Sequence, residues 1–208
     1  MNETGIKRGR RALPAAVASA GRGAARLAGR AVDICVKPGV TFLAIERERA
    51  GFTALYRDYL LWLAALPALV KLAVAFLGAP GGGRRFAATL SGAGLDYVCV
   101  LAGVYVLALA VDALAPMFGG ERDEDRALRL CAYALTPSFL ASATGALPGL
   151  AWTSVLGVYS IALVIIGLPR LMRCAGERAL GYGASAAVAM AAIAFAIGVL
   201  TSRVLPQS

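Results

Sequence analysis

The segment that most constrains this chain is GGERDEDRALRLCAYALTP, residues 119–137, a dense run of charge inside a C-terminal three quarters that otherwise shuns water. Glu121 to Arg126 are too hydrophilic to sit in hydrocarbon, so the chain must surface there between two apolar stretches. From Asp123 onward the run turns helical. Asp123, Glu124 and Asp125 suit the positive end of a helix dipole, and Ala127, Leu128, Leu130, Cys131, Ala134 and Leu135 carry the helix back into lipid. The carboxylates read as a solvated loop and a helix cap, because the Gly and Glu spacing of a calcium loop is missing.

Composition agrees with a bilayer as solvent. With 59% hydrophobic residues and a mean hydropathy of +0.71, a chain of 208 residues is too apolar for an ordinary soluble domain and has room for several spans. Of 21 basic residues, eleven precede residue 59, where they suit a topology signal or a membrane-surface contact. No aromatic-interleaved basic surface or zinc-finger spacing accompanies them, so nucleic acid is not an expected partner. Histidine is absent, which removes Ser-His-Asp and Cys-His nucleophiles and His-ligated zinc. Cys35, Cys99, Cys131 and Cys174 form no C-x-x-C pair and read as small packing residues. No cofactor or metal is expected. Eighteen arginines against three lysines, in a chain heavy in Ala and Gly, suggest a GC-rich bacterial source.

Residues 1–58 form a basic arm. Its start imitates a signal sequence, but the would-be apolar core is short, contains Pro14 and offers only Leu13 and Val17 as strong hydrophobes. Read at helical pitch, residues 12–37 are two-sided. Arg22, Arg26, Arg30, Asp33 and Lys37 share one face, and Val17, Ala20, Ala24, Leu27, Ala31 and Ile34 share the other. Such a helix lies among headgroups and is drawn to anionic lipid, with Arg22, Arg26, Arg30 and Lys37 as the lipid-surface contacts, or it packs on the protein's own cytoplasmic side. Lys37-Pro38-Gly39 breaks it, and residues 40–50 make a second amphipathic segment.

The remainder, residues 59–208, predicts an all-α, polytopic bundle of five transmembrane helices, over 60–77, 95–118, 128–147, 150–168 and 182–204. Gly78 to Gly94 reads as a flexible connection whose glycines lack the ending of a phosphate loop. If the N-terminus is cytoplasmic, the inner segments hold 17 basic residues and the outer ones only Arg84, Arg85 and Arg203. That asymmetry places the N-terminus inside and the C-terminus outside a bacterial cytoplasmic membrane.

Polar groups within spans are candidate functional positions. Lys71 faces the bundle or snorkels to the outer headgroups. Asp96 sits at the outer mouth of the second span, and Asp112 lies in its inner leaflet. Asp112 must be paired, solvated, protonated or snorkelling, with Lys71 or Arg129 as partners in reach. Tyr133, Thr136, Pro137 and Ser138 on the third span and Tyr159 on the fourth complete the set. Small residues on the third span allow close approach by a neighbour, so it is the expected central helix.

The segment PGVTFLAIE from Pro38 to Glu46, LAALPAL in the first span, APMFGG before the charged loop, AYALTP with Tyr133 and Pro137, LPGLAW, and VYSIALVIIGLP with Tyr159, Gly167 and Pro169 together resemble the Yip1 family of five-span membrane proteins, in its bacterial form. The resemblance runs over about residues 38–200. It implies the five-span fold. Eukaryotic members are associated with Rab GTPases and with the shaping of Golgi and reticulum membranes, but the DLYGP motif expected ahead of the first span is missing, so Rab binding does not carry over. The expected role is therefore non-catalytic: organising the bilayer, a membrane-protein partner or a second copy of itself. The alternative is a small-solute or ion carrier using Asp112 and the polar residues of spans three and four. An aspartyl protease is disfavoured, since Asp96 and Asp112 stand about 24 Å apart along one helix, too far to share a proton.

Overall fold

A proline sets the architecture. Pro137 has no N–H to offer the carbonyl one turn back, and its ring crowds that carbonyl, so the helix after the charged loop cannot run straight. In the computed structural model, which describes residues 29, 31–47, 59–77, 83–145, 149, 155–174 and 176–204, that helix divides at Leu135 into α4 (Glu124–Ala134) and α5 (Thr136–Gly145). The expected third span over 128–147 is thus two helices meeting at a bend. The other elements are α1 (Pro38–Arg47), α2 (Leu61–Leu77), α3 (Gly83–Leu114) with a 3-10 turn at Ala115–Phe118, α6 (Val155–Leu171) and α7 (Gly176–Val204). No strand occurs among the described residues.

Five helices close a ring: α2 packs on α3, α3 on α7, α7 on α6, α6 on α5, and α5 on α2. The bent-away piece, α4, packs on α3 and α6 and plugs one end. Ala127, Leu128, Leu130, Cys131, Ala132, Tyr133 and Ala134 are all buried, so α4 rather than the whole third span is the central helix. Its start follows the sequence closely: Asp123 is the N-cap, its carboxylate accepting the Arg126 N–H at 3.0 Å.

The plugged end is tied together by the charged loop. Gly119 supplies the left-handed turn, φ 74°, that ends the 3-10 segment. The Glu121 N–H then donates to the Met172 carbonyl at 3.0 Å, and the Glu121 carboxylate meets Arg126 and Arg173, each at 3.2 Å. Tyr182 stacks on Phe118 at 5.1 Å and donates to the Val111 carbonyl at 2.5 Å, joining α7 to α3.

Two helices, Thr89–Phe118 and Gly176–Arg203, are long and apolar enough to cross a bilayer, while α2 and α6 are apolar at 17 residues each. The α3 helix begins at Gly83, twelve residues before the expected start of the second span, so most of the glycine-rich connection is helical. In the arm, the chain is helical over residues 31–36, leaves helical geometry at Lys37 and resumes at Pro38, with the Thr41 hydroxyl donating to the carbonyls of Lys37 and Asp33. The break is narrower than Lys37-Pro38-Gly39 suggests because Pro38 is well placed at a helix start.

Candidate functional site

The polar residues singled out within the apolar sequence fall into two groups in space: struts between helices, and one ion pair facing a chamber. The struts come first. Breaking the helix at Pro137 leaves the Ser138 N–H without an intrahelical acceptor, and Ser160 of α6 fills the gap. Its hydroxyl oxygen accepts from the Ser138 N–H at 3.1 Å and from the Ser138 hydroxyl at 2.7 Å, and Ser160 is fully buried. Thr136 is equally buried, its hydroxyl 2.8 Å from that of Tyr59, whose ring lies 4.6 Å from that of Tyr133. The Tyr159 hydroxyl donates to the Cys35 carbonyl at 3.0 Å and so fastens the arm to α6. Thr136, Ser138 and Tyr159 thus tie helices, and the arm, to one another.

The arm is seated by shape as well. Phe42 and Ile45 of α1 and Ile34 before it are buried, and Phe42 lies against Gly167 of α6. A Cβ on Gly167 would run into Leu130 and come within 3.0 Å of the Phe42 ring, so glycine is what lets α1, α4 and α6 meet there. Val32, Val36, Val40 and Leu43 remain exposed on the outward face, beside exposed Lys37. Arg22, Arg26 and Arg30 lie outside the described residues. Two thiols at this end are hard to ionise: burial pushes Cys35 up, and burial also raises Cys174, partly offset by a backbone hydrogen bond.

The ion pairs differ from those the sequence suggests. Lys71 does not meet Asp112. Its ammonium lies 2.7 Å from the Asp96 carboxylate, with the two side chains 45% and 33% exposed. Asp112, whose side chain is 15% exposed, pairs with Arg122 of the charged loop at 3.3 Å, and its other oxygen has no hydrogen-bond partner. The physical reason is register: α2 and α3 pack side by side with Asp96 opposite Lys71, which leaves Asp112 about 24 Å further along α3 by helical rise, beside the charged loop. Opposite charges on consecutive antiparallel helices were the available signal for this pair. Ser160 left no such trace, since an isolated serine in an apolar run has many possible roles.

Lys71 and Asp96 face a chamber of about 570 Å³ lined by the five ring helices and open on one side. Ala64, Val104, Leu107, Leu135 and Phe139 line it toward α4, and Val100, Ile161, Met190 and Ile193 line its walls. Ser138 and Ser142 reach it, yet the Ser142 hydroxyl already donates to the Ser138 carbonyl at 2.9 Å. Asp112 is not part of it, and Tyr133, Thr136 and Tyr159 do not line it. Among the described residues no cluster of three or more His, Cys, Asp or Glu side chains could hold a metal.

A search of curated proteins and one of solved structures each gave no match. The Yip1 domain family model matches residues 32–198, from the docked arm through most of α7. That span takes in the ring, its plug and the helix that seals the plugged end, and the chain therefore belongs to the Yip1 domain family.

Proposed function

We propose that this protein is a non-catalytic membrane protein that crosses a bacterial cytoplasmic membrane five times, N-terminus inside and C-terminus outside, and organises the bilayer or partner proteins at its cytoplasmic face. The observation that carries this reading is the two-faced arm. One face, with Ile34, Phe42 and Ile45, is sunk in the bundle, and the other leaves Val32, Val36, Val40 and Leu43 exposed next to Lys37. Apolar side chains held rigidly beside a cation suit the boundary between acyl chains and anionic headgroups. The crossings are α2, α3, the bent α4–α5 pair, α6 and α7. At 17 residues, α2 and α6 meet the lower length limit of roughly 17 for a hydrocarbon core.

An environment-sensitive fluorophore on Val36→Cys in proteoliposomes tests the arm. Its emission should shift to the blue as phosphatidylglycerol content rises, and a water-like spectrum indifferent to lipid charge would remove the reading's support. Impermeant thiol labelling of cysteines introduced at Gly82 and Asp123 checks the crossings, with only the former reacting from outside. A second reading, a small-solute or ion carrier, is favoured by the chamber with its charged pair. Flux in proteoliposomes that falls in Lys71→Gln would favour it, and no flux across a broad panel of solutes would leave the organising role.

A further inference from the structure

The chamber inside the ring is used by neither the arm nor the struts, and its chemistry is specific. Its walls are apolar along the length of α3 from Asp96 to Leu107, about 16 Å by helical rise. That depth matches one leaflet, about half of the roughly 30 Å hydrocarbon core. The volume, about 570 Å³, falls in the range of roughly 300–1,000 Å³ typical of small-molecule sites. Water is a poor occupant, because an ordered water needs two to four polar partners and the serine hydroxyls here already donate within the protein.

The wall is also open on one side. Ser142 and Val158 at one edge and Ala191 and Ala194 of α7 are exposed as well as lining the chamber, so a molecule with one part inside and one part in the surrounding lipid could be accommodated. At the charged end stands one polar feature, the Lys71–Asp96 pair, in which both side chains are partly exposed and the net charge is zero. A purely anionic group approaching Lys71 would also meet the Asp96 carboxylate, and a purely cationic one would meet Lys71. A headgroup carrying a phosphate and an ammonium side by side offers each partner its complement.

We propose that the chamber is a phospholipid site: one acyl chain lies along it, the second stays outside through the open wall, and a phosphoethanolamine headgroup docks on the Lys71–Asp96 pair. The phosphate sits against Lys71 and the primary ammonium against Asp96. This rests on the reading that the ring stands in a bilayer.

The test is native mass spectrometry of the full chain in detergent, challenged with phosphatidylethanolamine, phosphatidylcholine or phosphatidylglycerol of matched chains. The wild type should retain one phosphatidylethanolamine per chain. Phosphatidylcholine, whose quaternary ammonium donates no hydrogen bond, and phosphatidylglycerol should be retained about fivefold less, the scale of one partly exposed charge contact. Ala187→Trp and, from the opposite wall, Ser142→Phe should abolish retention while keeping the circular dichroism and elution volume of the wild type. Lys71→Gln should erase the headgroup preference, and the swap Lys71→Asp with Asp96→Lys should restore it. Unchanged retention in both blocking variants, or equal retention of all three lipids by the wild type, would overturn the proposal. Carbonate extraction of the starting membranes separates the two layers of inference. A chain that stays in the bilayer but keeps no lipid overturns the site alone, and one that washes out overturns the membrane reading beneath it.

Discussion

The plugged end of the ring and the end around the chamber are built from the same alanine, leucine and valine, yet they are held together in opposite ways. At the plugged end, α4 is buried from Leu130 to Ala134, Phe42 fills the space that Gly167 leaves, and the loop from Gly119 to Asp123 is tied to the α6–α7 turn by a backbone hydrogen bond and paired charges. Around the chamber Gly103 of α3 lets Ile193 and Ile197 of α7 come close, but the five helices leave a space between them, and Val98, Val188 and Phe195 point outward with most of their surface exposed. In water the second arrangement would be a liability. In lipid it costs little, because hydrocarbon chains fill what side chains do not. Under the proposed membrane reading the two halves draw their cohesion from different sources: side-chain packing and hydrogen bonds at one end, lipid around the other.

The contrast predicts a ranked series of mutational effects. Phe42→Ala empties the seat of the arm and should cost about 3–5 kcal/mol, as other buried phenylalanine truncations do. Reversible unfolding in mixed micelles would measure it, and a loss below about 1 kcal/mol would mean that α1 is not part of the packed end. Gly167→Leu drives a side chain into Leu130 and Phe42 and should cost about 1–3 kcal/mol or more. Its counterpart Ser142→Leu, which adds similar bulk facing the chamber, should stay within about 0.5 kcal/mol. If the two cost the same, the halves do not differ in packing. Ser160→Ala strands the N–H and hydroxyl of Ser138 and should cost about 1–3 kcal/mol, unless another group moves in to accept.

The smallest effect is chemical. Since burial raises the Cys35 and Cys174 thiols, both hold less thiolate at neutral pH than a free cysteine. Maleimide labelling in opened membranes should therefore be slow at pH 7.5 and keep accelerating with pH beyond the point where a free thiol levels off. Labelling as fast as that of a solvent-exposed cysteine would show that this end breathes more than its packing suggests.

Much of the frame was legible in the residues. The bounds of α2 agree with the expected 60–77 to within one residue, and Asp123 caps α4 where the acidic run predicts a helix start. Both signals are local, one of composition and one of capping chemistry. The start of α3 was not legible, because three glycines from 81 to 83 and the small residues after them favour a loop on propensity alone, yet the helix begins at Gly83. Nor was the pairing of Lys71 with Asp96 and of Asp112 with Arg122, a long-range matter of register between helices. The chamber was beyond reach for a further reason. A void belongs to no residue, and it exists only once five helices have closed around it.

Pro137 has a consequence that reaches past its own bend. A straight rod after the charged loop could serve either as a plug or as a wall, but not as both. By losing one donor the chain makes the same stretch do both jobs: α4 stops one end, and α5 swings aside into the perimeter. Ser160 then takes up the stranded amide, which keys α5 against α6 at a single register. The hollow is thus specified by a missing hydrogen atom on the backbone, and restoring it with Pro137→Ala would tend to straighten the rod and erase the room it was bent to leave.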